Sequence, residues 1–274
     1  MNTMSNIQTD LSEDALVNAI RGNLSGFFRF LTRKLPTSDR FENDKFARWY
    51  TPVSHPWFNG FVCSATPSQA DEDFIQETIQ YFKERRVGIF TCWLEPNLNR
   101  SDWESFLANF GFGFSDGTPG MAVDLLILPK SPSITDGLEI HIVEDETELR
   151  TWAHIFTLGY GLPADWENKI FELWFRLGFD FPIQNYLGYL DGKPVSTSTV
   201  FYADGVAGIY DVATLPEARG RGLGTALTMA PLLDASQAGY RIGILQSSEM
   251  GFSVYQKMGF QHLCQIENFY LPLK

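Results

Sequence analysis

Length, composition and charge limit what this chain can be. Its 274 residues, 44% hydrophobic and 20% charged, describe a globular protein with one large or two ordinary domains and exclude a disordered or fibrous one. A formal net charge of −12 opposes nucleic-acid binding.

The N-terminal segment and the cysteines predict a cytoplasmic protein. Residues 1–14 are polar and acidic, without the basic and apolar regions of a secretory signal, and no apolar run is long enough to span a bilayer. Cys63, Cys92 and Cys264 are widely spaced and show neither a zinc-site pair nor a disulfide framework. We therefore expect no bound metal and no membrane partner.

A stretch rich in Pro, Ser and Gly divides the chain. It runs from Leu128 to Gly137 between two apolar segments, which is typical of a linker. The sequence therefore predicts two domains, residues 1–130 and residues 138–274.

In the second domain, hydrophobic spacing and turn residues predict the order of elements. Helical spacing from Glu146 to Phe179 indicates two helices joined near Gly159–Pro163, and two Asp-Gly pairs mark hairpin turns between three antiparallel strands. The later elements are a helix over Gly222–Ala238, a strand over Arg241–Gln246, a short helix ending at Phe260, and strand pairing within Gln261–Leu273 at the end of the sheet. The predicted order is two helices followed by β-β-β-α-β-α-β.

The two halves share an internal echo. WESFLANFGF ends at Phe112 and FSVYQKMGF ends at Phe260, each after an apolar strand. The distance from Pro67 to Gly111 is 44 positions and that from Pro216 to Gly259 is 43. A helix, a strand and a helix are therefore expected to recur, although short matches also arise by chance.

Three glycines stand between the last strand of the meander and the next helix, at Gly220, Gly222 and Gly224. Glycine lets backbone N–H groups approach an anion, and the start of a helix carries partial positive charge, so this turn is typical of a pyrophosphate site. It lacks the lysine of a nucleotide P-loop and the spacing of a Rossmann turn. A purely structural glycine turn is the other alternative.

Two motifs in this region resemble those of the GNAT acyltransferase superfamily. Thr214-x-Pro216 followed by Arg219-x-x-Gly222-x-Gly224 looks like its acetyl-CoA signature. The segment SSEMGFSVYQKMGF is similar to its later motif N-x-x-A-x-x-L-Y-x-K-x-G-F and places Tyr255, Lys257, Gly259 and Phe260 in register. Ser248 and Gly251 stand where the family often has Asn and Ala.

The resemblance covers roughly Glu139–Lys274. It implies an α+β fold with a mixed sheet, the GNAT acyltransferase fold, and together with the echo it implies two tandem GNAT-like domains. The implied function is transfer of an acetyl group from acetyl-CoA, the co-substrate, to a small-molecule or peptide amine by direct attack in a ternary complex.

The resemblance also implies roles for individual residues. Tyr255 would be the general acid, since an ordinary tyrosine stays protonated at neutral pH yet can donate to a thiolate. The proposed acyl-CoA contacts are Val212, Ala213 and Thr214 on the strand, Arg219, Gly220, Arg221, Gly222, Leu223, Gly224 and Thr225 in the turn, and Ser248 at the next helix.

The general base has no Glu or His at the expected strand position, which makes Asp211 the nearest candidate, with a water chain as the alternative. The aromatic residues Trp152, Phe156, Tyr160, Trp166 and Trp174 either wall an acceptor pocket or pack in the core.

The first half has no comparable glycine turn, and Leu107 stands where the second half has Tyr255. We expect it to be a degenerate GNAT-like domain that binds no coenzyme A. Two other functions stay open for the chain: a non-catalytic acyl-CoA-binding sensor, and an interaction module whose glycine turn is scaffold.

Overall fold

The computed structural model describes residues 7–36, 39–96, 98–115, 117–129 and 135–273. The first half contains α1 (Glu13–Lys34), β1 (Arg40–Glu42), β2 (Phe46–Trp49), β3 (Gly60–Cys63), α2 (Glu72–Glu84), β4 (Ile89–Leu94), α3 (Arg100–Ala108), β5 (Gly113–Phe114) and β6 (Thr118–Asp124). The second half contains β7 (Leu138–Ile142), α4 (Glu146–Gly159), α5 (Glu167–Leu177), β8 (Ile183–Leu190), β9 (Lys193–Ala203), β10 (Val206–Thr214), α6 (Leu223–Gln237), β11 (Ile242–Gln246), α7 (Glu249–Lys257), β12 (Gln261–Ile266) and β13 (Asn268–Pro272). Part of the predicted linker, residues 130–134, lies outside the described residues.

The strands form two mixed sheets. One has the order β1-β2-β3-β4-β13-β5, and the other has the order β12-β6-β11-β10-β9-β8-β7. In the first sheet β3 and β4 are parallel, and in the second β10 and β11 are parallel. Each parallel pair is joined through a helix, α2 or α6, so the helix-strand-helix pattern of the echo recurs with the same strand pairing.

The last strand of each half lies in the sheet built mainly by the other half. β6 pairs antiparallel with β11, and β13 pairs antiparallel with β4. The whole segment Gln261–Leu273 was predicted to pair at the end of the second sheet. This is right for β12 and wrong for β13, which lies between β4 and β5 in the first sheet. Six strand positions correspond between the sheets, with β13 in one where β6 is in the other.

The strand exchange changes the division of the chain. One compact unit consists of residues 1–23 and 119–263, and the other of residues 24–118 and 264–274. This differs from the predicted boundaries at 130 and 138. The reason is that β6 pairs with β11 of the second half, while β13 pairs with β4 of the first half.

Local sequence accounts for the elements around the second sheet. Asp145 caps α4 by accepting a hydrogen bond from the Glu148 N–H at 2.9 Å. At both predicted hairpins the Asp and the Gly have positive φ, 51° and 75° at Asp191-Gly192, as a tight two-residue turn requires. The two helices and three strands are thus confirmed, and β7, which the sequence analysis missed, precedes them.

Helices cover both faces of the second sheet. On one face, Leu227 and Leu232 of α6 share a core cluster with Val200 and Ile209 of the strands. Side chains alternate along β9, so Thr199 points to the opposite face, where Trp174 of α5 stacks at a tilt on Trp152 of α4. The site described below lies where β10 separates these two helical layers.

Candidate functional site

The parallel pair β10 and β11 opens at its carboxyl end. Pairing runs from Ala207 with Gly243 to Ile209 with Leu245 and then stops, although both strands continue. Beyond this point β10 stays paired with β9, and β11 stays paired with β6. The edge of β10 over Val212–Thr214 therefore faces a gap, with no strand partner on that side among the described residues.

A β-bulge produces this divergence. Tyr210 pairs with Thr199 and Ala213 with Thr197, so β10 carries one extra residue between these pairs. Asp211 occupies the bulge with φ of 55°, a left-handed conformation that Asp tolerates better than most residues. The hydroxyl of Thr197 donates to the Asp211 carbonyl oxygen at 2.9 Å and holds the bulge from β9.

The glycine turn leads from the gap into α6. Gly220 and Gly222 have φ of 76° and 79°, and Gly222 is the N-cap of the helix. A Cβ at Gly220 would meet nothing within 4 Å, so this glycine is required by backbone conformation. The amides of Leu223, Gly224 and Thr225 precede the first helical bond, from Ala226 N–H to Gly222 O, and lack partners among the described residues. The turn thus has the donors and the partial positive charge that an anionic diphosphate needs.

The two arginines of the turn differ in what they contact. The Arg219 guanidinium donates to the carbonyl oxygens of Gly159, at 2.7 Å, and Thr214, at 3.2 Å. It thereby joins the end of α4 to the end of β10. Arg221 is exposed, and its carbonyl oxygen accepts a hydrogen bond from Thr135.

Tyr255 lies on α7 beside the core cluster of α6. Burial raises the pKa of its hydroxyl, and a hydrogen bond with Thr228 of α6 offsets part of the rise. The hydroxyl is therefore protonated at neutral pH, as a general acid must be. A Cβ at Gly251 would lie 2.7 Å from Cε2 of this ring, so glycine at that position makes room for the tyrosine.

Ser248 begins the same helix. Its Oγ accepts a hydrogen bond from the Gly251 N–H at 3.2 Å as the N-cap of α7. Because the cap uses only an oxygen lone pair, the hydroxyl proton stays free to donate.

The Asp211 carboxyl is the strongly perturbed acid of this region. Burial raises its pKa from 3.8 to about 7, and hydrogen bonds from Thr199 and Trp174 offset part of the rise. Neither contact gives the buried Oδ2 a partner at ordinary hydrogen-bond geometry among the described residues. A group whose pKa lies near neutrality can accept a proton at physiological pH.

Tyr160, at the end of α4, connects these groups. Its hydroxyl donates to the Val212 carbonyl oxygen at 3.3 Å. Burial raises the pKa of this hydroxyl well above its ordinary value, and Asp211 and Tyr255 add to the rise. The residue as a whole is nevertheless 36% exposed. Asp211, Tyr160 and Tyr255 thus lie around one gap.

The other predicted aromatic wall residues divide into two groups. Trp152, Phe156 and Trp174 are at most 4% exposed and stack on one another, as core residues do. Trp166 is half-buried in the short 3-10 turn before α5. Thr197 and Thr199 were not among the predicted site residues, although four consecutive hydroxyl residues within a buried strand are an unusual signal.

In the first sheet, the part of the chain that the structure describes shows no such gap. Its parallel pair β3 and β4 stays paired to the ends, Cys63 with Leu94, and the Glu95 N–H continues the ladder to the Cys63 carbonyl oxygen at 3.0 Å. At the start of α2 the carboxylate of Asp71 accepts from the N–H and hydroxyl of Ser68 and pairs with Lys45. A protein carboxylate thus stands at the N-cap of α2, where α6 has a glycine.

Among the residues that the structure describes, no group of three or more His, Cys, Asp or Glu side chains could hold a metal ion. No helix in the described ranges is long and apolar enough to cross a membrane.

Comparison with known proteins agrees with this geometry. A family model described as an acetyltransferase (GNAT) domain matches residues 183–262, which run from β8 into β12. No curated protein sequence matches the chain significantly.

Several solved structures share the fold. A GCN5-related N-acetyltransferase from Kribbella flavida is similar with a TM-score of 0.69 and 18% identity, over 93% of this chain and 96% of that one. One from Sphaerobacter thermophilus has a TM-score of 0.60 and 14% identity, over 84% and 81% of the two chains. A tandem GNAT protein from the clavulanic acid biosynthesis pathway has a TM-score of 0.57 and 12% identity, over 97% of each. The family model thus covers the segment that contains the glycine turn and α7, and the chain has the GNAT acyltransferase fold.

Proposed function

We propose that the chain is an acyl-CoA-dependent N-acyltransferase that transfers an acetyl group from acetyl-CoA to an amine by direct attack. The observation that carries the proposal is the buried Asp211 carboxyl, with a pKa of about 7, beside a strand gap that Tyr255 borders from α7. A protein that only bound acyl-CoA would need the glycine turn but neither of these proton-transfer groups.

The residues around the gap fit coenzyme A. The amides of Gly220–Thr225, which have no partner among the described residues, would hold the pyrophosphate. The edge of Val212–Thr214, likewise unpaired in the described ranges, would pair with the amides of the pantetheine arm. The Ser248 hydroxyl can add a donor at the start of α7. When bound, acetyl-CoA supplies the thioester whose carbonyl carbon the amine attacks. We leave Arg219 out of this set, because its guanidinium is engaged with two carbonyl oxygens.

Asp211 and Tyr255 divide the proton transfers. Asp211 lies on the face of α4 and α5, since it contacts Thr199 and Trp174, and would remove a proton from the acceptor ammonium. The neutral amine then forms the C–N bond, and the C–S bond breaks. Tyr255, on the face of α6, would donate its proton to the departing sulfur and regain one from the nitrogen of the adduct.

The first half contributes no second site in this proposal. Among the described residues, the continuous β3–β4 ladder leaves no gap for a pantetheine arm, and the first half has no glycine turn like the one before α6. The expected stoichiometry is therefore one coenzyme A per chain.

Release of free thiol from acetyl-CoA in the presence of a panel of primary amines tests the proposal. We expect turnover by the native chain and a loss of at least about a hundredfold in kcat for Asp211→Asn, the usual range for removal of a general base. Binding of acetyl-CoA without thiol release from any amine would favour the sensor instead. Neither binding nor release would favour the interaction module.

A further inference from the structure

Four consecutive residues of β9, Ser196, Thr197, Ser198 and Thr199, are fully buried and carry hydroxyl groups. A buried hydroxyl needs a partner, and three of these donate to backbone carbonyl oxygens, of Ala213, Asp211 and Leu227 respectively. Thr199 differs, because its Oγ1 lies 2.6 Å from Oδ1 of Asn185 on β8. Because Thr199 pairs with Tyr210 directly before the bulge, it lies next to Asp211, and its hydroxyl contacts the Asp211 carboxyl.

Asn185, Thr199 and Asp211 thus form a chain of polar side chains across three neighbouring strands. Asn185 is 2% exposed and Thr199 is fully buried, so water does not compete for these contacts. The amide Nδ2 of Asn185 has no hydrogen-bond partner among the described residues, and the amide can therefore turn over without breaking another bond.

We propose that Thr199, backed by Asn185, is a positioning residue that holds the Asp211 carboxyl at the bulge and stabilises its ionised form. The consequence for catalysis rests on the proposed function, in which Asp211 is the base. The arrangement itself does not depend on that role.

The Thr199 hydroxyl has a single proton, and the protonation state of Asp211 decides which neighbour accepts it. When Asp211 is protonated, the carboxyl can donate to Thr199 while Thr199 donates to Oδ1 of Asn185. When Asp211 is ionised, Thr199 turns and donates to the carboxylate, and Asn185 presents its Nδ2 to Thr199. Thr199 thus keeps a hydrogen bond to both neighbours in either state, which lowers the cost of ionising the buried carboxyl.

The other groups that face Asp211 supply no compensating charge. Tyr160 at the end of α4 and Tyr210 on β10 both interact with Asp211, and burial keeps the pKa of each hydroxyl above its ordinary value. Trp174 of α5 adds a neutral N–H donor. The hydroxyls of Tyr160 and Tyr210 donate elsewhere, to the Val212 carbonyl oxygen and to Oδ1 of Asn23. We therefore assign to Thr199 the hydrogen bond that responds to ionisation of Asp211.

Nuclear magnetic resonance with ¹³C-labelled aspartate measures the proposal directly. The Asp211 signal is assigned by its absence in Asp211→Asn, and its titration is followed in the native chain, Thr199→Val and Thr199→Ser. Removal of the hydroxyl in Thr199→Val should raise the midpoint by about one pH unit, the scale of one hydrogen bond to a charged group. Thr199→Ser keeps the hydroxyl and should keep the native midpoint. If Thr199→Val does not fold, Thr199→Ala takes its place.

Thr197→Val is the matched control. It removes an equally buried hydroxyl from the same face of β9, but that hydroxyl bonds the Asp211 backbone carbonyl. Its Asp211 midpoint should stay near that of the native chain. Equal midpoints in Thr199→Val and the native chain, or the same shift in Thr199→Ser, would overturn the proposal.

The pH profile of kcat/KM adds a second readout. The acidic limb should move with the Asp211 midpoint, so Thr199→Val should lose about tenfold at pH 6 and little at pH 9. A shifted Asp211 signal without any thiol release would refute the proposed function while supporting the role of Thr199 in the titration. An unshifted Asp211 signal in an active enzyme would refute the role of Thr199 while supporting the proposed function.

Discussion

Replacing Asp211 by Asn should make the protein more stable at alkaline pH while removing its activity. Burial raises the pKa of Asp211 from 3.8 to about 7, so the folded chain keeps this proton at pH values where the unfolded chain has released it. The stabilisation that comes from this proton is complete below about pH 4 and is lost as the pH rises through about 7. The full difference, about three pKa units, corresponds to roughly 4 kcal/mol.

Urea unfolding at pH 5.5 and pH 8.5 measures this effect away from the sequence pI of about 4.8. The pKa of about 7 lies about one and a half units above pH 5.5. The native chain should therefore lose about 2 kcal/mol of unfolding free energy between the two conditions relative to Asp211→Asn. The amide of Asn does not titrate, so Asp211→Asn lacks the part of the pH dependence of unfolding free energy that the Asp211 carboxyl causes.

Asp191→Asn is the matched control. Asp191 also has a left-handed backbone, with φ of 51°, but it is exposed in a hairpin turn. It separates the conformational preference of Asn from the loss of a buried carboxyl, and its stability relative to the native chain should not change between the two pH values. A pH-independent difference for Asp211→Asn as well would refute a buried, titrating Asp211.

Further substitutions test other parts of the site. Tyr255→Phe should lower kcat by about a hundredfold or more with little change in the Kd for acetyl-CoA, measured by thiol release and calorimetry, if the hydroxyl is the acid. Gly251→Ala should also lower kcat, because the added Cβ would displace the Tyr255 ring. A kcat equal to that of the native chain in Gly251→Ala would contradict that packing. Arg219→Gln should lower the unfolding free energy by about 1 kcal/mol through loss of its bonds to Gly159 and β10, without changing the salt dependence of coenzyme A binding. The isolated fragment 138–274 should fail to fold, as judged by circular dichroism, because it lacks β6 and exposes both the edge of β11 and the strand β13.

Local sequence signals predicted the local structure well. The Asp-Gly pairs force positive φ wherever they occur, and the glycine turn before α6 needs only its own residues to adopt its conformation. The short helix that carries Tyr255 was predicted from a motif within its own sequence. These features depend on neighbours in sequence, which a single sequence displays.

The features that the sequence did not predict depend on contacts between distant residues. The exchange of β6 and β13 is invisible in a linear pattern, because either strand could complete either sheet with the same alternation. The bulge at Asp211 arises from the mismatch between β9 and β10, and the carbonyl contacts of Arg219 require α4 to end beside β10. Burial of Asp211, which gives the residue its chemistry, likewise comes from helices that lie elsewhere in the chain.

The binding of coenzyme A at the start of α6 is the central claim, and isothermal titration calorimetry tests it most directly. The native chain should bind one equivalent, and Gly222→Ala, which places a Cβ on a residue with φ of 79° in the anion turn, should bind at least about tenfold more weakly while remaining folded. Absence of binding by the native chain, or equal affinity in the folded variant, would contradict the account.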